Sequence, residues 1–458
     1  MTLKNAVPDI AQRLRGARAV QDIDDRDDPV TALNRDHALV LLGDKAMIIR
    51  EVTEAGDTDR MRRTINFIRP GAFRQYYANK TIRFGKRQVS IADAWLEHPD
   101  RRSYPDGIVF APQGCPPGTF NLWNGPVIKP ERGDCGLFLD HLRANICHGD
   151  ESLFRWVFGW FAQMFQRPWE KPGTALVLRG KQGTGKTLVG KIFGSLIPDH
   201  YYLVDNPRYL TGQFNSHMMA CLLLQADEGF WAGDKQAEGR LKSLITGEEH
   251  LIEKKGVDAF KVPNYLRLLI TSNEGWVVPA GADERRFTVL DVGDYAKQNR
   301  EYFKGIKDQL DRGGLQALLW EMMHFDLSSV DVGKVYRTGA LDEQALNSLP
   351  PIHQWWFDCL RSGSITPTGG QWDREVMCAL VYESYVRASD RVGIRRKSGE
   401  TQLGSELRKL VPYVRRRRIV QADGTRPYAY EFPDLDQCRE AFSRHYGMRI
   451  TWDEGSQH

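Results

Sequence analysis

Residues Gly180 to Thr187, with the sequence GKQGTGKT, restrict the possible fold of this chain more than any other segment does. They match the spacing G-x-x-x-x-G-K-[ST], and the apolar segment Ala175 to Leu178 precedes them. Three glycines suit a tight loop, because residues without a Cβ let backbone N–H groups turn inward around an anion. The sequence therefore predicts a strand, a phosphate-binding loop and a helix, in that order.

The same segment predicts ATP and Mg²⁺ as ligands. Lys186 is expected to lie between the β- and γ-phosphates, and the Thr187 hydroxyl is expected to bind Mg²⁺. The dipole of the following helix would add to phosphate binding. The residues predicted to contact the nucleotide or its metal ion are Gly180, Gly183, Thr184, Gly185, Lys186, Thr187 and Asp227.

An acidic pair follows the next apolar run. The segment Met218 to Ala226 is almost uninterrupted in its apolar character, which is typical of a strand buried on both faces of a parallel sheet. Asp227 is expected to hold Mg²⁺ together with Thr187, and Glu228 is expected to polarise the attacking water as a general base. Acids after a strand can also simply mark its solvent end, but their position downstream of the glycine loop favours ATP hydrolysis.

A third apolar strand, Leu268 to Asn273, ends in an amide that could bridge the γ-phosphate and the attacking water. Arg285 follows twelve residues after Asn273, and Arg286 is adjacent. An arginine just beyond this strand can reach the nucleotide of a neighbouring subunit and stabilise the charge of the transition state. The spacing does not decide between Arg285 and Arg286, although Arg286 ranks slightly behind, and a surface ion pair is the alternative interpretation.

Two basic segments predict contacts with nucleic acid. The sequence between Leu251 and Val262 has two strand-like arms around Lys-Lys-Gly, a turn suited to phosphate contact, although a solvated β-turn has the same pattern. The segment Arg391 to Arg418 is strongly basic, and it lies within a longer pattern, Glu375 to Phe432, of two helices followed by a hairpin. This pattern indicates a winged helix, or else a charged face of a protein-interaction domain. The predicted DNA contacts are Lys254, Lys255, Arg395, Arg396, Lys397, Arg415, Arg416, Arg417 and Arg418.

Strands that alternate with helices predict an α/β fold with a parallel sheet. Trp156 and Trp160 lie one helical turn apart and off the apolar stripe of their helix, so they belong either to the core or to a collar that packs on neighbouring subunits. The expected divisions are a charged arm (1–35), an α+β N-terminal module (36–150), a collar or linker helix (151–172), a P-loop ATPase domain (173–345) and a winged-helix-like DNA-binding domain (346–458).

Composition excludes several classes of protein. With 63 Lys and Arg against 59 Asp and Glu, a uniformly basic protein is excluded, although local basic surfaces are not. No apolar run reaches the ~20 residues of a membrane span, and the N-terminus lacks a secretory signal. Seven scattered cysteines fit reduced thiols, and their spacings match no zinc signature. The expected location is the cytoplasm of a bacterium or of a phage-infected host.

The order of these motifs resembles the superfamily 3 helicases, a branch of the AAA+ ATPases. It is more closely similar to the helicase module of phage and prophage primase-polymerase and primase-helicase proteins, most clearly from about Pro172 to Val292. The resemblance implies an AAA+-like core, a ring-shaped homohexamer, an arginine finger that acts across subunits, and 3′ to 5′ movement. It also implies that the Lys254-Lys255 hairpin tracks single-stranded DNA in a central channel.

The leading expectation is an ATP-dependent DNA helicase of phage or mobile-element replication. About 150 residues precede the ATPase segment and contain no evident pair of metal-binding carboxylates, so a primase or polymerase is expected to be a separate partner or absent. One alternative is an AAA+ replication initiator or loader that remodels protein–DNA complexes without processive unwinding. Another is a non-enzymatic, ATP-gated DNA-binding regulator, against which the Asp227-Glu228 pair argues.

Overall fold

The computed structural model describes most of the chain between residues 28 and 452. The described ranges are 28–84, 87–206, 208–212, 215–227, 235–275, 277–278, 284–366, 371–394, 396–422, 424–448 and 450–452.

The N-terminal region is a small α+β unit. Its main sheet has the order β3-β2-β1-β6, with β1, β2 and β3 antiparallel and β6 parallel to β1. Its elements are α1 (Pro29–Asn34), β1 (His37–Leu42), β2 (Lys45–Ala55), β3 (Met61–Ile68), α2 (Pro70–Tyr76), β4 (Thr81–Phe84), β5 (Arg87–Ser90), α3 (Ile91–Glu97), β6 (Ser103–Tyr104), β7 (Ile108–Val109), β8 (Phe120–Asn121) and α4 (Gly136–Asp140). Both faces of this sheet are packed, because successive side chains of a strand point to opposite faces. Val40 and Ile49 belong to the main core, whereas Ile48 packs with Phe73 of α2 and Trp95 of α3.

A π-helical turn, His141–Ile146, leads from the N-terminal region to helix α5 (Glu151–Gln166). Helix α5 is apolar on almost every side and is buried along its length. Trp156 and Trp160 are both buried within this chain, and the Trp156 indole donates a hydrogen bond to the Lys334 carbonyl at 3.0 Å. Both tryptophans therefore belong to the core, and the alternative that they pack on neighbouring subunits is wrong for these side chains.

The centre of the molecule is a five-stranded parallel sheet in the order β10-β11-β14-β9-β15. Its strands consist mostly of buried apolar residues, as expected for a sheet covered on both faces. The elements of this region are β9 (Ala175–Arg179), α6 (Lys186–Leu196), β10 (Tyr201–Val204), α7 (Arg208–Thr211), β11 (Leu223–Asp227), α8 (Lys235–Thr246), β12 (Glu249–Lys254), β13 (Val257–Pro263), β14 (Arg267–Ser272), β15 (Phe287–Asp291), α9 (Arg300–Gln309), α10 (Leu315–His324) and α11 (Gly339–Asn347). The predicted α/β fold with a parallel sheet is thus confirmed.

The C-terminal region has two helices followed by an antiparallel hairpin, as the sequence predicts. Its three-stranded sheet has the order β16-β18-β17. The elements are α12 (Pro351–Ser362), β16 (Glu375–Met377), α13 (Cys378–Arg391), α14 (Glu400–Leu410), β17 (Arg415–Arg418), β18 (Tyr428–Glu431) and α15 (Leu435–Tyr446). Strand β17 pairs only with β18 among the described strands, so it forms an edge of this sheet.

A continuous cluster of buried apolar residues extends from the N-terminal sheet to the C-terminal region. Polar contacts reinforce the junction between the N-terminal sheet and the central sheet. The backbone N–H and the guanidinium of Arg63 donate to the buried Asp199 carboxylate at 2.7 and 2.9 Å, next to the start of β10. The sequence marks 36–150 as a separate module, and these contacts fix it firmly against the central region. None of the described helices has the length and apolar character that crossing a membrane requires.

Candidate nucleotide and nucleic-acid sites

The glycine-rich loop lies at the carboxyl end of β9 and leads directly into α6. Gly180, Gly183 and Gly185 have φ values of 152°, 81° and 91°, which L side chains rarely adopt. A Cβ on Gly185 would lie 2.7 Å from the His141 ring and 2.8 Å from Phe303. Both the backbone conformation and the surrounding space therefore require glycine in this loop. In open parallel sheets, ligands bind outside the carboxyl ends of the strands, where this loop lies.

The structure brings together Lys186 and Asn273, which the sequence predicts from separate segments. The Lys186 side chain is 6% exposed, and its ammonium group donates to the carbonyls of Gly180 and Lys181, both at 2.7 Å, and to Asn273 Oδ1 at 2.9 Å. A buried ammonium group needs such acceptors, because desolvation without them is costly. The loop thus places a positive charge beside an amide at the edge of the sheet.

Thr187 and Asp227 also meet at this edge. The Thr187 hydroxyl lies 3.1 and 3.2 Å from the two carboxylate oxygens of Asp227, and the Thr271 hydroxyl donates to the same carboxylate. A hydroxyl and a carboxylate are ligands that suit Mg²⁺, which usually keeps several waters. In the described ranges no three His, Cys, Asp or Glu side chains cluster as a metal site. Glu228, the expected general base, lies outside the described residues.

The surroundings of the loop include residues that the sequence does not single out. Asn145, from the π-helical turn, is buried, and its amide donates to the Thr184 carbonyl at 2.8 Å. Gln225 accepts a hydrogen bond from the Tyr201 hydroxyl at 2.6 Å and approaches the Thr187 carbonyl at 3.4 Å. Only the position of Gln225, two residues before Asp227 on a buried strand, could have indicated a role from the sequence.

Arg285 and Arg286 lie at the amino-terminal ends of the strands, whereas the glycine loop lies at their carboxyl ends. They precede β15, which runs parallel to β9 with Phe287 opposite Ala175. The five residues of β9 span about 16 Å, so the structure does not bring either arginine near the loop of its own chain. Arg285 is exposed, whereas the Arg286 guanidinium is mostly buried and lies 3.8 Å from the Glu284 carboxylate.

The predicted basic hairpin is formed by β12 and β13, with Gly256 in the turn at a φ of 82°. Lys255 is exposed there, as predicted. Lys254 is half-buried, with its ammonium group 4.9 Å from the centre of the Phe67 ring, and burial lowers the pKa of this amine. The two lysines are therefore not equivalent, because Lys255 is exposed whereas Lys254 is partly covered by Phe67.

The hairpin contacts the N-terminal sheet at several points besides Lys254. Lys45 forms an ion pair with Asp258 at 2.6 Å, and the Arg69 guanidinium donates to the Gly256 carbonyl at 3.3 Å. The Phe67 and Phe260 rings pack edge to face at 6.3 Å. These contacts define the hairpin clamp, formed by Lys45, Phe67 and Arg69 of the N-terminal sheet and Lys254, Gly256, Asp258 and Phe260 of the hairpin.

The arginine-rich strand β17 exposes all four of its side chains. The Arg416 and Arg418 guanidinium groups lie 4.1 and 5.0 Å from the centre of the Tyr428 ring, while Arg417 lies 3.6 Å from the Glu431 carboxylate. Of the preceding basic loop, Arg396 is exposed, Lys397 pairs with Asp390, and Arg395 lies outside the described residues. The structure thus gathers Arg415 to Arg418 on one sheet edge.

Fold and site together define a mixed α/β protein with a glycine-rich loop at the carboxyl edge of a parallel sheet. Residues 178–286 match the family described as "Family of unknown function (DUF5906)". The DNA primase-polymerase of Nitratiruptor phage NrS-1 is 27% identical over 161 residues, which are 34% of this chain and 22% of that protein. The chain is therefore related to a phage DNA primase-polymerase, of which its matched part spans about a fifth.

Solved structures of the NrS-1 C-terminal region have the same fold. The apo structure of its residues 305–718 matches with a TM-score of 0.59 and 16% identity, covering 89% of this chain and 99% of that one. An "A form" apo structure of the same region matches with a TM-score of 0.61 and the same identity, covering 89% of this chain and all of that one. At this level of identity, the match establishes similarity of fold.

Proposed function

We propose that this protein is an ATP-dependent DNA helicase of phage or mobile-element replication. In this proposal it forms a homohexameric ring, hydrolyses ATP between subunits and moves along single-stranded DNA. The observation that carries the proposal is the pairing of Lys186 with Asn273 and of Thr187 with Asp227 beside one loop of left-handed glycines. The relationship to a phage DNA primase-polymerase supports a role in DNA replication.

The loop residues fit the phosphates of a nucleotide. Backbone N–H groups of the loop and the first turn of α6 would face the anion, and Lys186 would neutralise its charge. Thr187 and Asp227 would hold Mg²⁺, which when bound offsets charge on the phosphates. Asn273 would orient the attacking water, and Glu228 would accept its proton.

The position of the arginines supports hydrolysis between subunits. Arg285 is exposed about 16 Å from the loop edge of its own sheet, so it is placed to act on a nucleotide held by another copy. Arg286 is less suitable, because its guanidinium is mostly buried beside Glu284. A ring in which each finger completes the next site would make oligomerisation necessary for hydrolysis.

Two surfaces are proposed for DNA. Lys255, with Lys254 behind it, would contact the phosphates of single-stranded DNA in the channel. In the C-terminal region, the order of elements from α12 to α15 fits a winged helix, in which α14 would enter a groove and Arg415 to Arg418 would bind phosphates. Lys397 and Arg417 would contribute less, since Lys397 already pairs with Asp390 and Arg417 with Glu375 and Glu431.

One observation favours a second candidate function, an initiator or loader that remodels protein–DNA complexes. Lys254 packs on Phe67, and the hairpin clamp holds the turn against the N-terminal sheet. A hairpin fixed in this way suits static binding of DNA better than the cyclic hairpin movements that translocation along DNA requires. Stimulation of hydrolysis by DNA, without displacement of a labelled strand from forks with 3′ or 5′ tails, would support this candidate over the helicase.

Substitution Lys186→Ala tests the ATPase. We expect hydrolysis to fall by about 10²–10³-fold or more, because the charge that stabilises the transferred phosphoryl group is removed. Lys191→Ala is the matched control, since Lys191 is an exposed lysine of the same helix, and it should retain wild-type hydrolysis. Phosphate release is measured with and without single-stranded DNA. Full hydrolysis by the Lys186→Ala variant would rule out the proposed function.

A further inference from the structure

The segment that follows β15 crosses the glycine-rich loop and is attached to it at both ends. The Lys181 ammonium group pairs with the Asp294 carboxylate at 2.7 Å, and the Gln298 N–H donates to the Gly183 carbonyl at 2.9 Å. Gln298 has a φ of 57°, which is uncommon for a residue other than glycine. We call residues 292–299 the strap, because these contacts bind it across the loop.

A further contact ties the strap to the π-helical turn that packs on the same loop. The Gly293 N–H donates to the Asn145 carbonyl at 2.9 Å, while the Asn145 side chain donates to Thr184 in the loop. The strap, the loop and the turn are thus joined by hydrogen bonds in which Asn145 takes part twice. The strap therefore has a fixed position relative to the residues proposed to bind phosphate.

Tyr295 lies in the middle of the strap and is 73% exposed. Its ring meets the Tyr302 ring edge to face at 5.8 Å. Tyr302 is held in turn by a hydrogen bond of 3.1 Å between its hydroxyl and His141 Nδ1. An exposed aromatic face is therefore supported from behind, on a segment fixed to the loop.

We propose that Tyr295 is the platform on which the base of the bound nucleotide stacks. This inference rests on the proposed function, since it assumes that the loop holds the phosphates. A base is joined to its phosphates through a single sugar, so it must lie close to the loop, and every base has a face that can stack on an aromatic ring. The ligand class is a nucleoside triphosphate, in which the phosphates contact the loop and the base contacts the strap.

The test compares two ligands that differ in the base. The non-hydrolysable analogue AMP-PNP carries a phosphate chain and a base, whereas inorganic triphosphate carries the phosphate chain alone. Affinities of both, in the presence of Mg²⁺, are measured by calorimetry for the wild type, Tyr295→Ala, Tyr295→Phe and Tyr76→Ala. Tyr76 is the matched control, since it is a similarly exposed tyrosine in α2 of the N-terminal region.

We expect Tyr295→Ala to bind AMP-PNP about 5- to 160-fold more weakly, as removal of one stacking partner of a base predicts. Its affinity for triphosphate should stay within about twofold of the wild-type value, because stacking involves the base alone. Tyr295→Phe keeps the aromatic face and should bind both ligands like the wild type, as should Tyr76→Ala.

Two results would overturn the inference alone. Equal affinities of wild type and Tyr295→Ala for AMP-PNP would exclude stacking. Loss of affinity for both ligands, together with a changed oligomer mass without nucleotide, would make Tyr295 a subunit contact instead. If the wild type binds neither ligand, the proposed function itself fails, which separates the two cases.

Discussion

Gly190 and Gly194 set how closely helix α6 approaches the central sheet. A Cβ on Gly190 would lie 1.9 Å from Gln225 Oε1, and a Cβ on Gly194 would lie 2.3 Å from the Tyr201 ring. Gln225 and Tyr201 bond to each other, and Gln225 also approaches the Thr187 carbonyl. The two glycines thus allow α6 to pack closely on Gln225 and Tyr201, and Gln225 in turn contacts the Thr187 carbonyl in the first turn of the helix.

Substitution Gly194→Ala should lower the free energy of unfolding by about 1–3 kcal/mol, because overpacking forces the Tyr201 ring to move. Helix propensity alone would make alanine at this position more stable than glycine by about 1 kcal/mol. The expected change in the free energy of unfolding therefore has the opposite sign to the change that helix propensity predicts. Gly239→Ala in α8 is the control, since a Cβ there would meet nothing within 4 Å, and it should stabilise by about 0.5–1 kcal/mol. Urea unfolding followed by circular dichroism measures both, and two variants of equal stability would contradict this account of the packing.

The loop-edge residues could be predicted from the sequence, whereas the residues that support them could not. Lys186, Asp227 and Asn273 each follow an apolar strand of a parallel sheet, and the carboxyl ends of such strands meet at one edge. Asn145 precedes the sheet and lies in a π-helical turn with no pattern that indicates contact with Thr184. Its position depends on how the N-terminal region packs, which local spacing does not encode.

At the scale of elements, the hairpin of β12 and β13 differs most from its sequence pattern. The pattern predicts the two arms and the turn, and both are present. It also predicts two equivalent lysines, but Lys254 packs on Phe67, a residue 187 positions earlier in the chain. Only this long-range contact makes the two lysines different, so the local sequence of the hairpin does not distinguish them.

Substitution Lys255→Ala should weaken binding of single-stranded DNA and reduce the slope of log affinity against log salt by about 0.7, the value for one lost phosphate contact on a single strand. Lys261→Ala is the control, because Lys261 is an exposed lysine of the same hairpin that pairs with Glu249 away from the turn. Fluorescence anisotropy at four salt concentrations measures both slopes. An unchanged slope for Lys255→Ala would exclude this turn from the DNA contact.

At the scale of the whole molecule, the separation of Arg285 from the loop predicts complementation between copies. Lys186→Ala retains an intact arginine and Arg285→Ala retains an intact loop. A mixture of the two inactive variants should therefore regain part of the wild-type hydrolysis, since some interfaces combine both functional residues. Mixing Lys186→Ala with a Lys186→Ala/Arg285→Ala double variant is the control and should remain inactive. No gain in the first mixture would mean that Arg285 does not act across subunits.

Buried histidines predict a loss of stability in weak acid. Burial lowers the pKa of His141, His200, His217 and His250 from the usual value of about 6.5 to about 4. The unfolded chain binds more protons between these values, so stability falls as pH decreases from 6.5 towards 4, by up to about 1.4 kcal/mol per pH unit for each histidine. The free energy of unfolding is measured with denaturant at several pH values, and its slope against pH gives the number of protons taken up on unfolding. We expect an uptake of about three to four protons near pH 5.5. An uptake near zero would contradict the burial of these rings.

The hairpin clamp determines which parts of the molecule can shift as one body. The hairpin is joined to the N-terminal sheet through Lys45, Phe67 and Arg69, and Arg63 of that sheet holds Asp199 at the start of β10. If the hairpin and the N-terminal sheet move together, they would rotate about the Arg63–Asp199 contact, and the turn at Gly256 would move farthest. Displacement of the turn must either move the N-terminal sheet with it or break the Lys45–Asp258 ion pair together with the contacts of Phe67. The ion pair is exposed, so salt would weaken this one contact and leave the packing on Phe67 in place.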